Sequence, residues 1–346
     1  MVIDQSGALL SIVVGSDGDK KLLDSRVGTV GTPERMLVLE AGLGLEEGET
    51  RPTPAPAGGV DVAILTALQK VEFYWVKRTI ELLHPGVKWV RAPSPYRRIC
   101  EICELPVGDA AVRCVVSSAG SMGMSAMATL ATRVGVEFSP SFMFLCGISA
   151  AIPGKGFDLG DVAVFESAVD HDLGKLTTDE DTGEPRFLWN NEQLMPYGNA
   201  NTILEDFCHE NTTAMARGAV REYLSQFLEV ASEKPNWELK MDRAHASTVN
   251  FVVDNKGVLD TVIDRDGRFV GVLEMEAAGF YRACKELGIP GLVVKGISDM
   301  ARNKSSDNLR SFAAYASAMT VATYLSSGSE LLKLIKAGRS ENRDTP

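Results

Sequence analysis

The chain has 346 residues, 45% of them hydrophobic, enough to bury a sizeable core in one large domain or two ordinary ones. A net charge of −11, from 35 basic and 46 acidic residues, argues against generic binding to nucleic acid or to an anionic membrane, while leaving room for a local basic pocket. No run of about 18 apolar residues marks a membrane span, and the opening MVIDQSGALLSIVV has an early acid and no basic region, unlike a secretory signal.

Residues 1–50 hold two short apolar runs, 9–14 and 36–39, too small for an independent core. Residues 51–59 read as a linker, stiffened by three alternating prolines and ended by two glycines. Residues 60–66 open the main domain as a strand, and a helix follows from about residue 71. Residues 112–116 and 142–146 are buried-strand candidates separated by a helix through 125–134, and 161–165 is another strand. Residues 176–198 are polar and turn-rich with no strong period. A long helical region is expected over 202–231, and the β-branched run 247–253 is strand-like. The final helix starts near Asp307 as N-cap, with the stripe Phe312, Tyr315, Ala316, Met319 and Ala322. Residues 337–346 form a polar, loose tail. Alternating β and α, with mostly continuous strands, predicts an α/β domain over 60–336 around a central mixed, partly parallel twisted sheet.

Residues 270–300 carry the most chemistry. Val270, Val272 and Leu273 make a short apolar strand ending in Glu274-Met275-Glu276. Ala277, Phe280, Tyr281, Cys284 and Leu287 then share one helical face, stopped by Gly288 and Pro290. Leu292-Val293-Val294 begins a second apolar strand that runs into Gly296-Ile297-Ser298-Asp299. Strand, helix and strand at this length predict a crossover between parallel strands, which sets both acids at the carboxyl rim, where open α/β sheets bind ligands.

The six cysteines are scattered, as in a reduced cytoplasmic chain. Cys100-Glu-Ile-Cys103 lacks the second pair that a zinc site needs, and no paired spacing makes His171 or His245 a metal ligand, so neither metal nor cofactor is expected.

Five motifs, in order, resemble the superfamily of purine nucleoside phosphorylases and methylthioadenosine/adenosylhomocysteine nucleosidases, and above all its nucleosidase-like domains found fused to other modules. They are Val62-Ala-Ile-Leu-Thr-Ala-Leu68 with a glutamate soon after, Gly147-Ile-Ser-Ala-Ala-Ile152, Leu159-Gly160-Asp161-Val162, Leu273-Glu-Met-Glu-Ala-Ala278 and Gly296-Ile-Ser-Asp299. The resemblance implies a three-layer α/β/α fold, cleavage of a nucleoside N-glycosidic bond and assembly as a homodimer or higher homo-oligomer. It implies that Asp299, beside Ser298, assists protonation of the purine, that Glu276 accepts from the ribose hydroxyls and that Met275 packs on the sugar. Glu72 would orient and deprotonate the attacking water, Phe251 would stack on the base, Val252 would touch the base edge through its backbone, and Ile148 and Ser149 would line the floor. The chemistry is coherent by itself: a leaving base needs a proton donor, a ribose diol needs a bidentate acceptor, and the positive charge developing on the sugar favours nearby carboxylates.

The phosphorylases' phosphate-binding arginine is replaced by Leu145-Cys146 before Gly147, and Thr66-Ala-Leu-Gln-Lys70 supplies none after the first strand, which favours water as nucleophile. Three readings stay open: a nucleosidase acting on a purine nucleoside or nucleotide, a phosphate-dependent phosphorylase, and a non-catalytic nucleoside-sensing module. Glu72 falls six positions after Thr66 where the family has five, so either the turn holds an extra residue or the role is lost. Thr248-Val249-Asn250 replaces the usual Gly-Asp before the stacking aromatic, Ala150 and Ala151 replace floor glycines, and Lys295 stands where nucleosidases have arginine. Glu274 reads as structural. For a 5′ substituent, His171 to Lys175 and Arg302-Asn303-Lys304 flank the site strands.

Overall fold

The computed structural model describes residues 2–3, 9–11, 59–92, 99–108, 110–179, 182–190, 192–224, 227, 237–252, 256–266, 269–301 and 307–341. The chain divides into two units, Met1–Thr53 and Pro54–Pro346. In the first, the described residues are an antiparallel pair, Val2–Ile3 (β1) and Leu9–Ser11 (β2). The apolar run at 36–39 and nearly all of the expected linker lie outside the described residues.

In the second unit the strands are Val62–Thr66 (β3), Val90–Arg91 (β4), Cys100–Val107 (β5), Ala110–Ser118 (β6), Phe142–Ala151 (β7), Val162–Asp170 (β8), Gly174–Thr178 (β9), Pro185–Trp189 (β10), Gln193–Leu194 (β11), Met241–Thr248 (β12), Val270–Glu274 (β13) and Gly291–Asp299 (β14). The helices are Tyr74–Leu83 (α1), Met124–Phe138 (α2), Ala200–Phe207 (α3), Glu210–Glu222 (α4), Lys256–Asp266 (α5), Ala277–Leu287 (α6), Asp307–Ser327 (α7) and Ser329–Glu341 (α8). Among the described residues no helix is long and apolar enough to cross a membrane.

The central sheet is mixed. β3 pairs in parallel with β6 on one side and with β7 on the other, and every residue of β3 is buried, hence its continuous apolar run. β5 and β4 extend the β6 edge antiparallel. Beyond β7 the strands close on themselves. β14 pairs in parallel with β7 and antiparallel with β8, β8 pairs in parallel with β12, β12 in parallel with β13, and β13 returns antiparallel to the far end of β7 at Ala150 and Ala151. Alternate residues of β3 feed opposite faces: Val62 and Ile64 pack with α1, α3, α4 and α7, whereas Ala63 and Leu65 pack with α2 and α6.

This closure corrects one expectation. β13 and β14 flank α6 as foreseen, yet they do not pair with each other, and their pairings with β7 have opposite sense. β7 is ten residues long, long enough to serve β14 along most of its length and β13 at its tip. Other differences are local. The described part of the 202–231 region holds two helices broken at Cys208 and His209, where the His209 ring accepts from Asn211 N and caps the second. The polar, turn-rich stretch 176–198 carries the end of β9 and all of β10, which pair antiparallel. The strand expected at 247–253 ends at Thr248. α8 reaches Glu341, so the polar tail begins as helix, with Arg339 donating to Asp61.

Candidate active site

All nine residues singled out as site candidates line one cavity of about 430 Å³: Glu72, Ile148, Ser149, Phe251, Val252, Met275, Glu276, Ser298 and Asp299. They come from the ends of β7, β12, β13 and β14 and from the turn after β3. The sheet closure that separates β13 from β14 in pairing brings their acidic ends to the same opening.

Glu72 and Ser298 are the most buried of them, each 2% exposed. Glu72 sits in a single wide π-helical turn, Gln69–Phe73, marked by the bond from Phe73 N to Leu68 O at 3.1 Å. A π turn accommodates one more residue than an α turn, which accounts for the one-position offset of this glutamate. The carboxylate then closes back on the turn: Oε2 accepts from Ala67 N at 2.8 Å and Leu68 N at 2.7 Å, and Oε1 from Ile148 N at 3.0 Å. Gly147 permits this approach, since a Cβ there would lie 2.2 Å from Glu72 Oε1. Burial pushes the Glu72 carboxyl above its ordinary value, Lys295 opposes this, Glu276 adds to it, and the backbone N–H groups oppose it.

Glu276 follows β13 and is buried. Its Oε1 accepts from Gly123 N at 3.0 Å and its Oε2 from Lys295 Nζ at 2.9 Å, which leaves lone pairs on both oxygens for a diol. Gly123 is within reach because Gly279 lets α6 pack on the start of α2, where a Cβ would lie 2.3 Å from Met124 O. The same approach brings Met122 into the cavity wall.

Lys295, on β14, is fully buried among Glu276, Glu72 and Glu274. Burial works against its charge, but Glu276, Glu72 and Glu274 more than offset it and hold the ammonium above the ordinary lysine value. Glu274 serves the structure. Its Oε2 accepts from Glu276 N at 2.7 Å and Ala277 N at 2.8 Å, capping α6, and its Oε1 bonds Thr248 Oγ1. Burial pushes Glu274 up to about 7, with Lys295 opposing. Thr248 Oγ1 also accepts from Ala278 N at 3.1 Å, so the threonine in the departed motif ties β12 to the start of α6.

Asp299 ends β14. Its Oδ2 accepts from Ser298 Oγ at 3.1 Å and its Oδ1 from Ala301 N at 3.0 Å. It therefore caps the following turn and lines the cavity as well. Ser298 Oγ also reaches Ser149 O at 3.2 Å, tying the ends of β14 and β7 together. Ser149 Oγ is buried and has no hydrogen-bond partner among the described residues, so it is able to donate to or accept from a ligand in the cavity. Phe251 and Val252 stand at the mouth, 40% and 58% exposed. Asn250 anchors them by donating to Asp172 Oδ2 from its backbone at 3.0 Å and from its side chain at 2.7 Å.

Of the candidates for a 5′ substituent, Arg302, Asn303 and Lys304 lie outside the described residues. His171 is buried, stacked on Trp189 and edge-on to Phe251, and Lys175 is exposed on β9. Arg310, in the first turn of α7, lines the cavity and was not among the sequence candidates. Its one signal is a basic residue at the start of the helix that follows the Gly296-Ile-Ser-Asp299 strand. Among the described residues no group of three or more His, Cys, Asp or Glu is arranged to hold a metal ion.

A family model described as the phosphorylase superfamily matches residues 62–326. Over 229 residues the chain is 27% identical to ATP nucleosidase Cap17 of Escherichia coli (strain KTE188); the alignment covers 64% of this chain and 43% of that protein, so the chain spans less than half of the relative it matches. The 5′-methylthioadenosine/S-adenosylhomocysteine nucleosidase of Neisseria meningitidis, solved with methylthio-immucillin-A, has a similar fold, with a TM-score of 0.53 at 19% identity over 77% of this chain and 99% of that one. The Streptococcus pneumoniae MTA/SAH nucleosidase, solved with 8-aminoadenine, gives 0.55 at 15% identity over 78% and 100%. Futalosine hydrolase of Helicobacter pylori strain 26695 gives 0.50 at 17% identity over 81% and 98%.

Proposed function

The chain belongs to the phosphorylase superfamily, and from that premise we propose that it is an N-glycosidase that hydrolyses a purine nucleoside or nucleotide to the free base and the ribose moiety. The observation that carries the choice of water as nucleophile is the seat of Glu72. The N–H groups of Ala67, Leu68 and Ile148 converge on one point, as an anion site would, and the Glu72 carboxylate fills it. A phosphate dianion brought there would meet a buried acid; a water would meet a proton acceptor whose basicity burial has raised.

In the proposed reaction the base stacks on Phe251 against the backbone of Val252, the ribose diol binds Glu276, Met275 packs on the sugar, and Ile148 and Ser149 form the floor. As the bond from C1′ to the base breaks, its electron pair leaves with the purine, which Asp299, positioned by Ser298, helps to protonate. The cationic sugar is stabilised by the surrounding carboxylates. A water adds to C1′ and gives its proton to Glu72. The names of the similar proteins, an ATP nucleosidase and MTA/SAH nucleosidases, support an adenine-bearing substrate.

The proposal extends to a catalytic domain over 60–336 arranged in three layers, supported by the apolar clusters on opposite faces of β3. It also extends to a cytoplasmic location, supported by free cysteines, and to a homodimer or higher homo-oligomer, supported by the exposed Phe251 and Val252 at the cavity mouth.

The deciding experiment is chromatography of adenosine, methylthioadenosine, adenosylhomocysteine, AMP and ATP after incubation, with and without phosphate. Free adenine without phosphate is expected. Release only with phosphate would replace hydrolase by phosphorylase, and binding without any release would make the domain a sensor.

A further inference from the structure

β8 and β12 run in parallel and end level with each other, with Thr248 opposite Asp170. The two turns that leave them therefore emerge side by side. One is Val249 to Val252, which carries Phe251; the other is His171 to Leu173, which leads into β9. The ladder adds one further rung, from His171 N to Thr248 O at 3.0 Å, and on the opposite flank Val249 N donates to Glu274 O at 2.9 Å. Past Val249 the strand has ended, and Asn250, Phe251 and Val252 are exposed.

The neighbouring turn holds Phe251 at the cavity mouth. A single oxygen, Asp172 Oδ2, accepts from Asn250 N at 3.0 Å and from Asn250 Nδ2 at 2.7 Å, so it commits two lone pairs to the residue before Phe251. Asp172 is itself fixed from behind. Its N–H donates to Asp170 Oδ1 at 3.2 Å, and Asp170 Oδ2 accepts from Arg282 Nη1 at 2.6 Å. Arg282 stands on α6 and also donates to Glu192 Oε2 at 2.7 Å. The ring of Phe251 meets His171 edge-on, with centroids 6.2 Å apart, and His171 is stacked on Trp189. The turn after β8 thus grips the Phe251 loop twice, through a carboxylate and through a ring.

An exposed aromatic in a short turn binds well only when its orientation is already set, because ordering it as the ligand enters costs affinity. Stacking on a purine is about equally strong before and during cleavage of the bond to C1′. A residue that orders Phe251 therefore acts on binding and leaves the chemical step alone. Resting on the nucleosidase reading, we propose that Asp172 is a positioning residue: by holding Asn250, it presets Phe251 and Val252 to receive the base.

The experiment measures kcat and KM in the wild type, Asp172→Leu, Asp172→Asn and Asn250→Ala, with whichever of adenosine, methylthioadenosine, AMP and ATP the wild type cleaves best. Asp172→Leu should raise KM about 5- to 20-fold, the scale of one or two solvent-facing charge-assisted hydrogen bonds, with kcat within about 2-fold of the wild type. Asp172→Asn keeps an oxygen that can accept both bonds and should return KM to within about 3-fold of the wild type. Asn250→Ala keeps the backbone donor and should fall between the two. An unchanged KM in Asp172→Leu, or a fall in kcat alone, overturns the assignment, as does an Asp172→Asn variant as impaired as Asp172→Leu. Should Asp172→Leu fail to fold, Asn250→Ala decides by the same split between KM and kcat. Should the wild type release adenine from none of the substrates, the nucleosidase reading falls, and calorimetric titration with free adenine decides Asp172 by itself. Weaker adenine binding in Asp172→Leu, restored in Asp172→Asn, upholds it; equal affinity, or no binding to the wild type, overturns it.

Discussion

Lys295 Nζ lies 2.9 Å from Glu276 Oε2, with the lysine fully buried and the glutamate buried except where it faces the cavity, and the same ammonium stands 3.9 Å from Glu274 Oε2. One cation thus serves a carboxylate on the cavity wall and another that caps α6. Removing one partner of a buried charge cluster leaves the others unneutralised, which typically costs about 3–5 kcal/mol. Lys295→Met is expected to lower unfolding stability by that amount in urea titrations, and to abolish adenine release with it. A near-neutral midpoint would show that the acids simply take up protons when the lysine is gone.

Glu274 should leave a pH signature. Its folded value is raised to about 7 from an ordinary 4.5, so the native state holds a proton that the unfolded chain releases. The contribution to stability is fully present below about 4.5 and is lost as pH rises through about 7. Glu72 is shifted in the same direction and Asp161 is raised to about 6, so the wild-type profile is a sum. Glu274→Gln mimics the protonated form: its oxygen can accept from Glu276 N and Ala277 N while its NH₂ group donates to Thr248 Oγ1. The wild type should lose more stability than Glu274→Gln between pH 5 and pH 8. Parallel melting profiles for the two proteins would dispose of this account.

Much of this site was legible in the chain because its acids end apolar runs. β3, β7 and β14 are buried along most or all of their length, so their side chains are mainly apolar, and the cavity residues lie at or just beyond their carboxyl ends: Ala67 and Leu68 after β3, Ile148 and Ser149 in β7, and Ser298 and Asp299 in β14. The helical stripe Phe312, Tyr315, Ala316, Met319 and Ala322 is likewise buried in full. The closure of the sheet was not legible, because strand sense depends on which neighbour β13 finds, and nothing local to Val270–Glu274 encodes Ala150 and Ala151 as that neighbour. The π turn was visible only as an unexplained offset at Glu72. Arg310 was passed over because a basic residue in the first turn of a helix carries no periodic or motif signal.

Gly147 is the position at which backbone geometry governs the proposed base. A Cβ there would collide with the tip of the Glu72 side chain, at 2.2 Å from Oε1, and a side-chain tip yields more easily than a backbone. Gly147→Ala is therefore expected to swing the carboxylate off Ile148 N while the fold survives, lowering turnover by about 10²- to 10⁴-fold, the range for loss of a positioned general base. Glu72→Gln should cost a similar factor, and the double variant should be no worse than either single one, since both remove one function. Additive losses would show that Gly147 acts on the reaction by some route other than Glu72.

The polar C-terminal stretch is expected to matter for stability. Arg339 Nε donates to Asp61 Oδ1 at 2.7 Å, its second nitrogen bonds Asp61 Oδ2, and Asp61 is buried at the residue before β3, where it also accepts from Arg113 N at 2.7 Å. Truncation after Lys336 would leave that carboxylate with the backbone donor alone. A loss of about 1–3 kcal/mol is expected, the cost of a buried charged acceptor deprived of its partner. Arg339→Ala in the full chain should reproduce most of it in the same denaturant titration. If truncation destabilises while Arg339→Ala does not, the effect belongs to the packing of α8 and the pairing with Asp61 contributes little.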